Sequence, residues 1–457
     1  MAFDSLIFIL YFLPLTLFMY YISNVRYKNL ILLIASIFFY IWGSSKTVVI
    51  IFISIIINYF LGYLLHKLQK NRRAILYLGV SFNVIILIYY KYMNFFIGNF
   101  NKLTGSNHSL LKLMIPLGIS YITFQQISYI VDIYRDKEAF ENNFINYALY
   151  AIFFPKIIAG PITKYSLIKE DIKKREYNDE LFKEGIYRFS LGLSKKVLIS
   201  NTLALVSNKI FAIDPQLLGF NISFLGMITY TLQIYFDFSG YTDMAIGIAK
   251  MFSINLPENF DKPYKAKGFI DFWRRWHITL SSFLRDYIYI PLGGNRVSKK
   301  RLIFNTFILF LISGFWHGAN FTFIAWGIYH GFFVIIEKLG AKKIHKVLPG
   351  FVSEVITFIL VAIGWVFFRA DGLRYSLKYL RNLLNPTNIV PLGTLDIGTY
   401  SKFWFVFILS LIMVFTPKLK ENKILSMMSK PFSIIILIYS IAVITTGSFM
   451  PFIYLNF

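Results

Sequence analysis

The chain has 457 residues, of which 56% are hydrophobic, 19% aromatic and only 15% charged, with no cysteine. This composition, with a mean hydropathy of +0.58, excludes an ordinary soluble domain and predicts a chain that crosses a bilayer many times. Without cysteine there is no disulfide, thiolate nucleophile or cysteine-ligated zinc. The formal charge of +24 sits in short loops between apolar runs, as the positive-inside rule requires and nucleic-acid binding does not.

Residues 1–22 are apolar from the start, lack a basic leading region and a small-residue cleavage site, and read as a retained first span. Apolar runs at 30–42 and 48–65 follow, separated by Gly43-Ser-Ser-Lys46 and closed by a basic run at 66–73. Placing that run inside puts the amino terminus outside. Residues 74–96 return outward and a polar loop is predicted at 99–107. The next span, 110–131, contains Pro116-Leu-Gly-Ile-Ser-Tyr-Ile-Thr-Phe-Gln-Gln-Ile-Ser128, whose amides and hydroxyls must face protein rather than lipid. Residues 146–158 are short, end at Ala159-Gly-Pro161 and hold Lys156, the pattern of a re-entrant hairpin. In the span at 181–205, Lys195 and Lys196 predict late entry into the bilayer.

Residues 221–251 are long enough to cross with tilt, yet contain Gln233-Ile-Tyr-Phe-Asp237-Phe-Ser239-Gly-Tyr241-Thr-Asp243. Carboxylates at that depth are expensive, and two readings stand: a closed network with hydroxyls or an arginine, or a substrate-positioning site. The longest polar interval, 255–300, holds Asp271-Phe-Trp-Arg274-Arg275-Trp-His277. Either this is an amphipathic helix on the cytoplasmic surface, or its arginines shape the mouth for a phosphate-bearing donor with His277 turned inward.

The centre of the pattern is Leu311-Ile-Ser-Gly314-Phe-Trp316-His317-Gly318-Ala-Asn320-Phe-Thr-Phe323, where a histidine interrupts a run fit for hydrocarbon. A neutral imidazole offers one N–H and one proton-accepting lone pair, so His317 is a candidate general base; the alternative is a histidine satisfied by a neighbouring helix. Gly314 and Gly318 are expected to leave room beside the ring, with Phe315 and Trp316 as walls. His330, on the next span, reads as a structural hydrogen-bond partner. Further spans at 319–336, 351–368, 403–415 and 434–446 bring the count to roughly twelve, with both termini outside. The aromatic tail at 448–457 is expected to pack on the outer face or to reach toward His317 with the hydroxyl of Tyr454. The six histidines show no paired ligand spacing, and no metal site is predicted.

Six segments, in order, resemble the membrane-bound O-acyltransferase (MBOAT) family, in particular its bacterial alginate and peptidoglycan O-acetylation branch. They are Pro116-Leu-Gly-Ile-Ser-Tyr-Ile-Thr-Phe-Gln, Phe154-Pro-Lys-Ile-Ile-Ala-Gly-Pro161, Asp237-Phe-Ser-Gly-Tyr-Thr-Asp243, Asp271-Phe-Trp-Arg-Arg-Trp-His277, Tyr289-Ile-Pro-Leu-Gly-Gly-Asn295 and Gly314-Phe-Trp-His-Gly-Ala-Asn320. The resemblance implies an all-α polytopic membrane protein, a ring of roughly 11–12 transmembrane helices with re-entrant segments around a central cavity. It implies one integral domain over 1–457, with an extracytoplasmic tail at 449–457. His317 then occupies the catalytic position and His277 that of the second recurrent histidine. Arg274, Arg275, Asp237, Ser239, Tyr241, Asp243, Trp316 and Asn320 become candidates for donor binding and the cavity wall.

The segment Phe452-Ile-Tyr-Leu-Asn-Phe457 also resembles the tail of a companion peptide in teichoic-acid D-alanylation, which makes Tyr454 a candidate acyl relay. The activity implied is O-acyl transfer, with acetyl-CoA or an acyl-carrier thioester as donor and no permanently bound cofactor, in the bacterial cytoplasmic membrane. Because the chain lacks a large soluble domain, an extracytoplasmic SGNH-hydrolase-like acyltransferase is the expected partner for a polysaccharide acceptor. The competing classes are a transporter using His317, Asp237 and Asp243 as a proton or solute pathway, for which no internal repeat is found, and a non-catalytic scaffold for polysaccharide export.

Overall fold

The computed structural model describes residues 1–340, 348–395, 401–416, 423–447 and 452–453. Apart from one bridge between Phe260 and Trp276, the described residues carry no strand. Among them five helices are long and apolar enough to cross a membrane: Val25–Lys67, Arg72–Thr104, Asp179–Phe211, Phe321–Leu339 and Gly350–Arg369. Shorter apolar helices lie at Phe8–Ile22, Ser401–Phe415 and Phe432–Thr445. This is a multi-pass, all-helical membrane protein. Its residues group into two compact units, Met1–Phe189 with Thr242–Pro257, and Ser190–Tyr241 with Glu258–Phe457.

In the first unit, a 3₁₀ turn at Ser45–Thr47 interrupts the helix where Gly43 to Lys46 predicted a break. The loop expected at 99–107 starts late, because the helix continues to Thr104 and stops at Gly105, φ 70°. Two of its polar residues are satisfied on their own helix, Asn99 donating to the Phe95 carbonyl and the Thr104 hydroxyl to that of Phe100, both at 2.8 Å, while Asn101 donates to the His108 carbonyl at 2.8 Å.

The polar segment behaves as predicted, with Thr123, Gln125, Gln126 and Ser128 all buried. Ser54 donates to Gln126 at 2.8 Å. Helix Phe144–Ile152 has nine residues, about 13 Å at ~1.5 Å per residue, too short for a ~30 Å hydrocarbon layer. The chain then turns through Phe154–Lys156, and Lys156 is fully buried. Its ammonium donates to Gln125 Oε1 at 2.7 Å and lies 4.0 Å from the centre of the Tyr150 ring. Only glycine fits opposite this turn: Gly118 has φ 65°, and a Cβ there would lie 2.2 Å from the Ile157 carbonyl oxygen. Asp243 belongs to this unit, where Arg188 Nε and Nη2 each reach its Oδ1 at 2.7 Å.

In the second unit, backbones rather than side chains meet between 190–211 and 220–241, the second stretch belonging to the 32-residue helix Phe220–Met251. A Cβ on Gly240 would sit 2.8 Å from the Gly192 carbonyl oxygen, the close approach small residues allow between membrane helices. One turn beyond Gly192, Lys196 is buried and its Nζ lies 2.6 Å from Asp237 Oδ1. The expectation that Lys196 marks late entry is therefore corrected. Its charge is neutralised inside the protein by a carboxylate the helix crossing places opposite it.

The Trp-Arg-Arg-Trp segment closes the short helix Phe269–Arg275, ahead of a second short helix at Ile278–Leu284, with Phe272 and Trp276 buried and Arg274 exposed. The Trp276 indole packs 4.8 Å from Trp365 and 5.0 Å from Phe260, and that aromatic burial turns the segment inward.

Candidate active site

Helix Lys299–His317 ends on His317, and Phe321–Leu339 begins after Asn320, whose side-chain carbonyl caps it by accepting from Thr322 N–H at 3.1 Å. The two helices touch through glycine. A Cβ on Gly314 would lie 2.3 Å from the Phe323 carbonyl oxygen, and one on Gly327 2.4 Å from that of Phe310. A Cβ on Gly318 would collide with the Phe323 ring at 2.2 Å. The room expected beside His317 is thus filled by the next helix. The glycines serve packing, and their effect is to bring Trp326 within 5.0 Å of the His317 ring, centre to centre.

The His317 ring is 3% exposed, enclosed by Trp316 at 4.9 Å, Trp326 at 5.0 Å and Phe368 at 5.2 Å. His277, fully buried, lies 6.2 Å from the same Trp316 ring. The two histidines the sequence singled out therefore share one indole neighbour. His330 continues the row, 4.9 Å from Trp326 and 5.3 Å from Trp273. Its expected role is corrected: neither ring nitrogen has a hydrogen-bond partner among the described residues, and the imidazole is held by aromatic packing. Gly364 makes room for it, since a Cβ there would lie 2.6 Å from His330 Nε2.

His277 is positioned by a residue the sequence did not flag. Its Nδ1 lies 3.1 Å from Asn259 Oδ1, which also accepts from the Thr279 N–H at 3.2 Å and the Thr279 hydroxyl at 2.9 Å. A backbone N–H can only donate, so the shared Asn259 atom is the oxygen and His277 Nδ1 carries the proton. Nε2 then bears the lone pair, and it has no partner among the described residues. The backbone at His277 has φ 45°, uncommon for a non-glycine residue, and the Asn259 carbonyl holds the next residue by accepting from Ile278 N–H at 3.0 Å. No spacing rule connects Asn259 to His277, 18 residues on; only the bridge between Phe260 and Trp276 makes them neighbours.

A cavity of about 340 Å³ opens beside these helices. Arg274, Arg285 and Lys338 supply its cations, and Trp273, Phe310 and Ser313 are also in its wall. Ser313 is one helical turn before His317. The paired arginines separate here. Arg274 lines the cavity, whereas Arg275 Nε is held by Asp271 at 2.9 Å and its Nη1 lies 3.8 Å from Asp261. Lys338, also missed, is fixed by the Tyr289 hydroxyl at 2.8 Å and that of Thr306 at 3.1 Å.

The motif on Phe220–Met251 divides as well. Ser239 and Tyr241 are buried. Asp237 Oδ1 takes Lys196 and, at 3.3 Å, the Ser200 hydroxyl, while Oδ2 accepts the backbone N–H of Ile453 at 2.8 Å. Phe452 stacks on Tyr241 at 4.6 Å and lies 6.1 Å from Phe238, whose ring is 4.8 Å from His277. The carboxyl-terminal segment therefore reaches the histidine row through Phe452. Tyr454 lies outside the described residues.

The membrane-bound O-acyltransferase family profile matches residues 141–373, and a "Probable alginate O-acetylase AlgI" of Pseudomonas aeruginosa is 40% identical over 414 residues, 87% of this chain and 79% of the relative. The chain belongs to the membrane-bound O-acyltransferase family. Within that family, "Peptidoglycan O-acetyltransferase" of Helicobacter pylori is 39% identical over 422 residues, 84% of this chain and 80% of the relative. "Teichoic acid D-alanyltransferase" of Bacillus subtilis is 32% identical over 329 residues, 67% and 80%. This membrane-bound O-acyltransferase is an enzyme, which decides against the transporter and scaffold alternatives.

Proposed function

We propose that this O-acyltransferase takes an acetyl group from a cytoplasmic thioester, acetyl-CoA or an acylated carrier protein, and passes it across the membrane for O-acetylation of an extracellular or cell-wall polysaccharide. The observation that carries this reading is the placement of His277 and His317 beside one indole, Trp316, with a cationic cavity whose wall includes Ser313, one turn before His317. Arg274, Arg285 and Lys338 would hold the donor's phosphates, leaving its acyl end among apolar walls.

His317 is the general base. It takes the proton of the acceptor hydroxyl as that oxygen attacks the thioester carbonyl; the C–S bond then breaks and the leaving thiolate is protonated to the thiol. His277, oriented by Asn259, is the second catalytic imidazole. The Asn320 amide or the Gly318 N–H would stabilise the oxyanion, the kind of donor whose loss costs about 10²–10³-fold in rate. The first acceptor is Tyr454 or a residue of an extracytoplasmic SGNH-hydrolase-like acyltransferase that completes transfer to the polymer. The setting is the bacterial cytoplasmic membrane with both termini outside.

The test replaces His317 with alanine and measures alkali-labile acetate on cell polysaccharide at matched protein level. A fall of at least about 100-fold is expected. Wild-type acetylation by the folded variant would sink the assignment.

A further inference from the structure

Asp237 is the most enclosed carboxylate of the second unit with a described tail contact: its side chain is 1% exposed and that of Lys196 3%. Its two oxygens face different parts of the chain. Oδ1 is engaged by Lys196 and Ser200, both on the helix packed against it, so these contacts hold the carboxylate in place. Oδ2 instead receives a main-chain N–H from residue 453, 216 positions away. An ionised acceptor makes stronger hydrogen bonds than a neutral one, and a main-chain donor fixes register without reading a side chain. Side-chain selection comes from the neighbouring ring, since Phe452 lies nearly flat on Tyr241 at 28° between planes and 4.6 Å between centres.

We infer that the Lys196–Asp237 pair and Tyr241 form a receptor for the chain's own carboxyl-terminal segment, with the Ile453 N–H as the recognised donor and Phe452 as the anchor. Asp237 is thus a positioning residue. It sets the register of the tail against Phe238, the ring in contact with His277. Its consequence for catalysis rests on the proposed function, because Tyr454 follows Ile453 directly; the docking itself does not.

The experiment uses the full chain with p-benzoylphenylalanine at position 452, in a His317→Ala background, so that docking is read without chemistry. Irradiation is expected to give adducts on Tyr241 or Phe238, mapped by mass spectrometry. Ile453→Pro removes the one N–H and leaves the buried pair intact; it should lower the adduct yield at least about tenfold, as loss of a hydrogen bond to a charged group implies. Ile453→Ala, which keeps the N–H, should crosslink like the parent. The double variant Lys196→Met, Asp237→Asn removes the pair without stranding either charge and should match Ile453→Pro. Equal yields from the proline and alanine variants, or adducts outside 220–251, would overturn the receptor. With His317 restored, Ile453→Pro should lose acetylated product while Ile453→Ala retains it. A His317→Ala protein that crosslinks normally yet acetylates normally would reject the catalytic reading and leave the docking intact.

Discussion

In the first unit, two charged groups end within the helix scaffold: Lys156 reaches Gln125 and the Tyr150 ring, and Asp243 takes two nitrogens from Arg188. In the second, the same kinds of group pass on to something that can change. Asp237 commits one oxygen to Lys196 and the other to the tail, His277 fixes one nitrogen on Asn259, and Arg274 turns to a cavity while Arg275 is tied down. A charge whose contacts all lie within the scaffold fixes a shape, whereas one with an atom turned to the tail or to a cavity holds a reactive or binding group in place. This difference, rather than burial, separates scaffold from site in a protein where both units carry buried polar residues.

The largest effects should come from breaking each kind of network at its centre. His317→Ala should remove at least about 100-fold of acyl transfer while leaving the thermal transition of the purified protein within a few degrees of wild type. Lys156→Met should show the reverse, because it leaves the Gln125 amide without its buried donor. A loss of about 1–3 kcal/mol is expected, read as a lowered midpoint in a detergent melt, with specific activity of the folded fraction kept. Equal losses of activity in the folded fractions of both variants would erase the contrast between the units.

Further changes sharpen it. Lys196→Met strands Asp237 and should cost about 3–5 kcal/mol, most of which the double variant Lys196→Met, Asp237→Asn should restore. Asn259→Ala removes the hydrogen bond to His277. At about 1 kcal/mol, activity should fall about fivefold, and a melting midpoint within a few degrees of wild type would distinguish orientation of the imidazole from general support. Arg274→Ala should raise the donor KM severalfold with kcat little changed, whereas Arg275→Ala should leave KM alone and cost about 0.2–1 kcal/mol of stability, the range for an exposed ion pair. Identical KM values for the two arginine variants would remove the cavity from the donor's path.

Much of this architecture is legible in the chain. Apolar run lengths gave most of the helices, Gly43 to Lys46 the turn at Ser45–Thr47, and the polar 116–128 segment its burial, because period and hydropathy are local properties; the span read at 110–131 instead starts its helix at Ile119. The motifs also named His317, His277, Asp237 and Arg274. What local pattern misread was what fills space. Gly314 and Gly318 look like room for a substrate when only the preceding residues are considered, yet the backbone and ring of Phe323 take that room. Lys196 looks like an interfacial residue until Asp237 lies beside it.

The sequence by itself determined that the chain lives in a bilayer, where its helices run, and which family chemistry its motifs carry, because each follows from residue type and short-range period. Only the tertiary structure decided which arginine faces the cavity, which nitrogen of His277 holds the proton, and where Phe452 and Ile453 settle. The last two outcomes depend on groups 18 and 216 residues apart meeting at hydrogen-bond distance, and no pattern along the chain records such meetings before the helices pack.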